Sequence, residues 1–117
     1  MRPHRKSPIL GLVQGLIALS LTTSLQAASF VGLGHLTDPA LGTKATAISN
    51  DGTVVVGFGE TNTPGLSAAF RWTQTSGITP LNLPTGTLSS VARDVSADGS
   101  TVAGSWFPVG DPQEAFR

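Results

Sequence analysis

Nucleophilic catalysis needs a serine or cysteine held beside a base, and this sequence has no cysteine and only two histidines, His4 and His35. His35 lies in Leu33-Gly34-His35-Leu36 and reads as a polar residue near a strand end. Gly65-Leu66-Ser67-Ala68-Ala69 approaches the Gly-x-Ser-x-Gly elbow that exposes a nucleophilic serine, but its last glycine is missing and no helical pattern follows. Ser67 therefore reads as the start of a strand. Gly32-Leu33-Gly34 and Gly57-Phe58-Gly59 begin like dinucleotide loops and lack both the third glycine and the helix. After residue 27 a single histidine, His35, beside scattered carboxylates does not make a zinc site. The Asp51-Gly52 and Asp98-Gly99 turns lack the further carboxylates of a calcium loop. Glu60, Asp94, Asp98, Asp111 and Glu114 could supply paired acids for glycoside hydrolysis only if the fold brought two of them within about 5–10 Å. No catalytic, cofactor or metal-binding residue is assigned, and the expectation is a protein without enzymatic activity.

Compartment is more legible than chemistry. Residues 1–27 have the three parts of a secretory signal: a basic start (Arg2, Arg5, Lys6), an apolar helical run from Ile9 to about Leu21, and a small-residue exit at Leu25-Gln26-Ala27. Gly11, Gln14 and Gly15 interrupt the run and no basic residue follows it directly, which argues against a retained membrane anchor. Removal of this segment leaves Lys44, Arg71, Arg93 and Arg117 against Asp38, Asp51, Glu60, Asp94, Asp98, Asp111 and Glu114. The remaining chain is mildly acidic and has no basic patch to track a phosphate backbone, so nucleic acid is not an expected partner. The expected destination is outside the cytoplasm, whether periplasm, cell surface or medium. With no cysteine for that oxidising destination, packing and sheet hydrogen bonds must hold the fold. The large anchors are few: Phe30, Phe58, Phe70, Trp72, Trp106, Phe107 and Phe116.

The elements that would carry any site repeat. Ala45-Thr46-Ala47-Ile48-Ser49-Asn50-Asp51-Gly52-Thr53-Val54-Val55-Val56-Gly57 recurs about 47 positions later as Ala92-Arg93-Asp94-Val95-Ser96-Ala97-Asp98-Gly99-Ser100-Thr101-Val102-Ala103-Gly104, a period typical of repeat architectures. No segment after residue 27 sustains apolar residues at helical spacing. Short β-rich runs bounded by Gly, Pro and Asp-Gly recur instead, so the fold class is all-β with antiparallel four-stranded repeat units. The expected strands of the first unit are Ala45 to Ser49, Thr53 to about Gly59, Ser67 to Thr73 and Ile78 to Leu83. Those of the second are Val91 to Ser96, Ser100 to Trp106 and Glu114 to Arg117. The domain reading is a signal over 1–27, a lead-in with a partial repeat over 28–44, a first repeat over 45–90 and a second, truncated repeat over 91–117.

Several positions carry specific expectations. Asp51 and Asp98 should cap hairpin turns with their carboxylates while Gly52 and Gly99 take positive φ. Gly57 and Gly104 should permit close backbone approach or a bulge. Alternation puts Phe70 and Trp72 on one face of their strand and Ala69 and Arg71 on the other, with the Phe70 face the one that packs into the core. Asp94 falls where the first unit has Ala47 and reads as a solvated strand position. The loop from Glu60 to Leu66 differs in sequence and length from its counterpart, Phe107 to Pro112, as variable surface loops of repeat proteins do.

In order along the chain, Leu33-Gly34-His35-Leu36, the Ala-x-x-(Ile/Val)-Ser-x-Asp-Gly-x-x-Val-x-Gly block, Ala69-Phe70-Arg71-Trp72 and Gly77-Ile78-Thr79-Pro80-Leu81-Asn82-Leu83 resemble the HAF repeat of bacterial exported proteins. The resemblance covers nearly all of the chain after residue 27, as one and a half to two units. The tripeptide His-Ala-Phe that names the family is here Ala68-Ala69-Phe70 and Glu114-Ala115-Phe116, so nothing functional is carried over at its first position. The Ser-x-Asp-Gly hairpin also looks like that of periplasmic Ser-Pro-Asp-Gly propeller repeats. The resemblance implies an exported, propeller-like array, and four short antiparallel strands per period match one propeller blade.

The functional expectation is a non-enzymatic exported scaffold or binding module that meets a protein or glycan through its variable loops, with self-association through open sheet edges. The competing expectations are an amino-terminal piece of a multi-blade propeller enzyme of hydrolase type, and an autotransporter passenger followed by a membrane barrel. Intact-mass and amino-terminal analysis of the protein recovered from its native cells checks the first step. The expected chain starts at Ala28 or Ser29 and has lost about 3 kDa; retention of Met1 would remove the export signal from the reading.

Overall fold

The computed structural model describes residues 27–117; the expected signal, apart from its last residue, lies outside the described part. The turn-bounded β-rich runs of these residues form seven strands, and the described residues contain no helix. Strands β1 (Thr43–Ile48), β2 (Val54–Glu60), β3 (Ser67–Thr73) and β4 (Gly77–Pro80) make one antiparallel sheet in the order β1-β2-β3-β4. Strands β5 (Thr87–Val95), β6 (Val102–Pro108) and β7 (Glu114–Phe116) make a second, three-stranded antiparallel sheet in the order β5-β6-β7. Within each sheet hydrogen-bonded neighbours are neighbours in sequence, so each is a meander built from short connections.

Strand β3 has the limits expected from its sequence, and Ser67 begins it. The fourth strand is shorter than expected. It ends at Pro80, which has no N–H to give to a ladder, and one last bond from the Leu81 amide to the Ala69 carbonyl (3.0 Å) follows it. Strand β5 is longer and begins at Thr87, four residues before the expected Val91. Its added residues pair with β6, which starts two residues later than expected and runs two residues past the expected Trp106, Thr87 opposite Pro108 and Ser89 opposite Phe107.

Both first strands bulge at the same place in the repeat. Thr46 is skipped between Ala45 and Ala47, and Arg93 between Ala92 and Asp94. Just beyond each bulge a glycine of the second strand comes close to the first. A Cβ on Gly57 would collide with the Lys44 carbonyl and meet Phe70 Cζ at 2.9 Å; one on Gly104 would collide with the Val91 carbonyl and meet Phe116 Cζ at 2.7 Å. Gly57 is opposite Phe70 and Gly104 opposite Phe116, so each phenylalanine ring lies over the bare backbone of its cross-strand partner.

The two sheets pack with Val54, Val56 and Ala69 of the first against Ala92 of the second, flanked by Ala47, Leu81, Val95, Val102 and Phe116. This corrects one expectation: the face of β3 that meets the other sheet carries Ala69 and Arg71, not Phe70 and Trp72. Phe70 is fully buried all the same, on the opposite face with Gly57. Small side chains are required on the inter-sheet face because the Phe116 ring arrives there from the second sheet.

Among the described residues only six hydrophobic side chains are buried, Val54, Val55, Val56, Ala69, Phe70 and Ala92, a small core that leaves little reserve against overpacking. Gly57→Ala and Gly104→Ala should each destabilise the protein by about 1–3 kcal/mol. Gly32→Ala, with nothing within 4 Å of the added methyl, should change the midpoint of urea unfolding far less. Equal midpoints for the three variants would contradict the packing described.

Candidate functional site

The two Ser-x-Asp-Gly segments close their hairpins in the same way. Asp51 Oδ1 accepts from the Ser49 hydroxyl (2.6 Å), the Thr53 amide (3.0 Å) and the Thr53 hydroxyl (2.8 Å). Asp98 Oδ1 accepts from the Ser96 hydroxyl (2.7 Å), the Ser100 amide (3.0 Å) and the Ser100 hydroxyl (2.7 Å). Each serine in turn accepts a bond from the strand that follows, Ser49 from the Val54 amide and Ser96 from the Thr101 amide, both at 3.0 Å. Gly52 and Gly99 both adopt φ of 75°, the left-handed conformation expected of them. These donors favour the ionised carboxylates. The Ser49 hydroxyl, followed by the Thr53 amide and hydroxyl, holds Asp51 below its ordinary value. The Ser100 hydroxyl and amide, then the Ser96 hydroxyl, bring Asp98 to about 2.

The turns also join the sheets. The Asn50 amide donates to the Ala97 carbonyl at 3.0 Å, and Gly99 is buried against Val54, where a Cβ would collide with its methyl group. At the bulge, the Thr46 hydroxyl donates to the Ala92 carbonyl at 2.8 Å. Farther along, where β3 runs past its pairing with β4, the Ser67 and Ala69 amides donate to the Ser89 (2.9 Å) and Ser90 (2.8 Å) hydroxyls. The Ser67 hydroxyl donates to the Ser90 carbonyl at 3.1 Å and lies 3.0 Å from the Ser89 hydroxyl. Ser67 is thus a stitch between sheets, within a serine cluster rather than beside an imidazole. Ser89 and Ser90 had no signal of their own in the sequence, because their role is set by strands that meet only in the folded chain.

The remaining candidates are spread over the surface. His35 is exposed. Glu60 accepts from the Gly42 amide at 3.2 Å, and Asp94, exposed as expected, accepts from the Val95 amide at 2.8 Å. Asp111 and Glu114 are exposed. Among the described residues no three His, Cys, Asp or Glu side chains converge as metal ligands.

The loop after β2 borders an open cleft of about 560 Å³, lined among others by Phe58, Glu60, Thr61, Asn62, Leu66 and Ser67. Half-buried Phe58 contributes an aromatic surface, with Lys44 Nζ 5.9 Å from its ring centre, within cation–π range. The loop braces itself: the Thr61 amide donates to the Leu66 carbonyl (3.1 Å) and the Leu66 amide to the Thr63 carbonyl (3.2 Å). Asn62 is exposed at the tip. The cleft can offer apolar contact together with amide, hydroxyl and carboxylate hydrogen bonding.

The carboxylates of Asp51 and Asp98 stabilise the fold while they stay ionised, because their native pKa values lie below the ordinary 3.8. That stabilisation is complete above about pH 5 and is lost as pH falls through 3.8 toward 2. In thermal melts the wild-type midpoint should therefore drop over this interval. Asp51→Asn with Asp98→Asn should melt lower at pH 6 and respond less to acid; parallel pH profiles would show that the turns do not depend on the charges. In comparison with known proteins, the chain matches no family model, no curated protein and no solved structure.

Proposed function

We propose that the protein is an exported, non-enzymatic β-repeat scaffold or binding module of the cell surface or periplasm, built from propeller-like blades akin to the HAF repeat. The observation that carries this reading is the division between a repeated framework and an unrepeated loop. At matching places, the two sheets share the Ser-x-Asp-Gly turn, the bulge and the glycine–phenylalanine pair. The Glu60 to Leu66 loop does not share the sequence or length of its counterpart. A framework that is copied while a loop drifts suits recognition by the loop.

The chemistry near the loop supports binding over turnover. Ser67 is engaged in sheet-to-sheet bonds, Asp51 and Asp98 are taken up by their turns, and Glu60 braces the Gly42 amide. The cleft beside Phe58 and Asn62 has the apolar surface and the amide that a sugar ring or a peptide backbone uses. Its ligand in this reading is a glycan or a protein segment of the cell envelope or its surroundings.

The test is binding of the labelled protein to a glycan array and to isolated bacterial envelopes, beside a variant in which residues 61–66 are replaced by Gly and Ser. Retained circular dichroism with at least about tenfold weaker binding is the expected result. Equal binding by the variant would remove the loop from the reading, and turnover of any bound glycan would remove the non-enzymatic assignment.

A further inference from the structure

The hairpin turns border a second cleft, of about 420 Å³, at the other end of β2 from the variable loop. Val54, the first residue of β2, lines this cleft, and Glu60, the last, lines the one beside Phe58. Its walls come from both sheets. The first sheet supplies Thr53 after the β1–β2 turn, Arg71 and Thr73 at the end of β3, and Gln74 in the β3–β4 turn. The second supplies Asp98 from the β5–β6 turn. Only the packing of the sheets brings Arg71 and Asp98 to one concave surface.

These two opposite charges keep most of their hydrogen-bonding capacity unspent. Arg71 is half-buried, and among the described residues its guanidinium makes one hydrogen bond, from Nη2 to the Gly99 carbonyl at 3.5 Å. A guanidinium has several further N–H donors in a fixed fork. Asp98 uses one oxygen only: the Ser96 hydroxyl and the Ser100 amide and hydroxyl all donate to Oδ1, and Oδ2 accepts from none of the described residues. Gln74 is exposed beside them. A guanidinium partly withdrawn from water gains most from a planar carboxylate, which its fork meets with two parallel bonds. A simple anion placed there would also meet the Asp98 carboxylate, and a simple cation would meet Arg71. A ligand that suits both groups carries both charges in one small molecule.

The geometry points to a binding site for a free α-amino acid between the two sheets. The ligand carboxylate meets the Arg71 guanidinium, its ammonium group meets Asp98 Oδ2, and its side chain has Val54 and Trp72 as neighbours in the cleft. The volume lies toward the small end of ligand pockets. A peptide end brings only one of the two charges and a neutral glycan brings neither, so the site differs in ligand as well as in place from the cleft beside Phe58. It does not depend on the loop reading.

The experiment is calorimetric titration of the full chain with L-leucine, N-acetyl-L-leucine and L-leucinamide at about pH 6, where the α-amino and α-carboxyl groups keep their charges. Leucine should bind saturably. The acetylated form lacks the ammonium and the amide form lacks the carboxylate, so each should bind at least about tenfold more weakly. Backbone amide resonances should shift on leucine binding at residues 52–54, 71–75 and 98–99. Arg71→Gln should abolish binding, and Arg71→Lys, which keeps the charge without the fork, should restore only part of it. Circular dichroism checks that these variants fold, and if they do not, the blocked ligands decide the matter on the unaltered protein. Absence of saturable leucine binding overturns the proposal. Equal binding of N-acetyl-leucine overturns it as well, since that pattern belongs to a plain anion site, and equal binding of leucinamide belongs to a plain cation site and does the same. Replacement of residues 61–66 should leave leucine binding intact; its loss there would move the amino acid to the other cleft and overturn this assignment, whereas failure of that variant to lose glycan or envelope binding would sink only the loop reading.

Discussion

The approach of a phenylalanine ring to a bare glycine backbone governs the geometry of each sheet. Phe70 lies over Gly57 and Phe116 over Gly104, and in both cases the first strand brings a carbonyl into the space a side chain would fill. Two residues on from that carbonyl the first strand bulges, and the bulge residue is freed from the ladder. Thr46 uses that freedom to reach the second sheet. A ring, a glycine and a bulge thus fix strand spacing, register and one inter-sheet bond together.

Small residues make the second level of packing possible. With a large ring in each sheet, the facing surface has to be low, and Ala69, Ala92 and the valines of β2 supply it. Their burial contributes little area, so polar links take a larger share of the work of joining the sheets. Serine hydroxyls meet the amides of β3 past the end of β4, and one hairpin turn rests on the other through Asn50, Ala97 and Gly99. These bonds satisfy backbone groups that a buried sheet end would otherwise leave unpaired. They are directional as well, so the sheets meet in one register.

The same economy accounts for the structural engagement of several residues that could do chemistry. The carboxylates with the most hydrogen bonds, Asp51 and Asp98, are consumed in turn formation. Ser67 is consumed at the junction of the sheets. The loop beside Phe58 is exempt from these structural duties at its tip, and it is the part that the repeat does not copy.

Local rules were enough for the turns, for β3 and for the all-β class, because an Asp-Gly turn, a strand start and an alternating run are decided by neighbours in sequence. The 47-residue period likewise marked Gly57 and Gly104 as places of close approach before any contact was known. The direction in which β3 packs was not legible. Alternation separates Phe70 from Ala69 but does not say which side meets another sheet, and the larger residue was the natural choice. Tertiary structure assigned that side to Ala69, since Phe116 from the second sheet needs a shallow surface to rest on. The roles of Ser89 and Ser90, the early start of β5 and the cleft beside Phe58 were decided in the same way. Each depends on backbone groups far apart in the chain, whose unpaired hydrogen bonds and free space exist only once the two sheets have met.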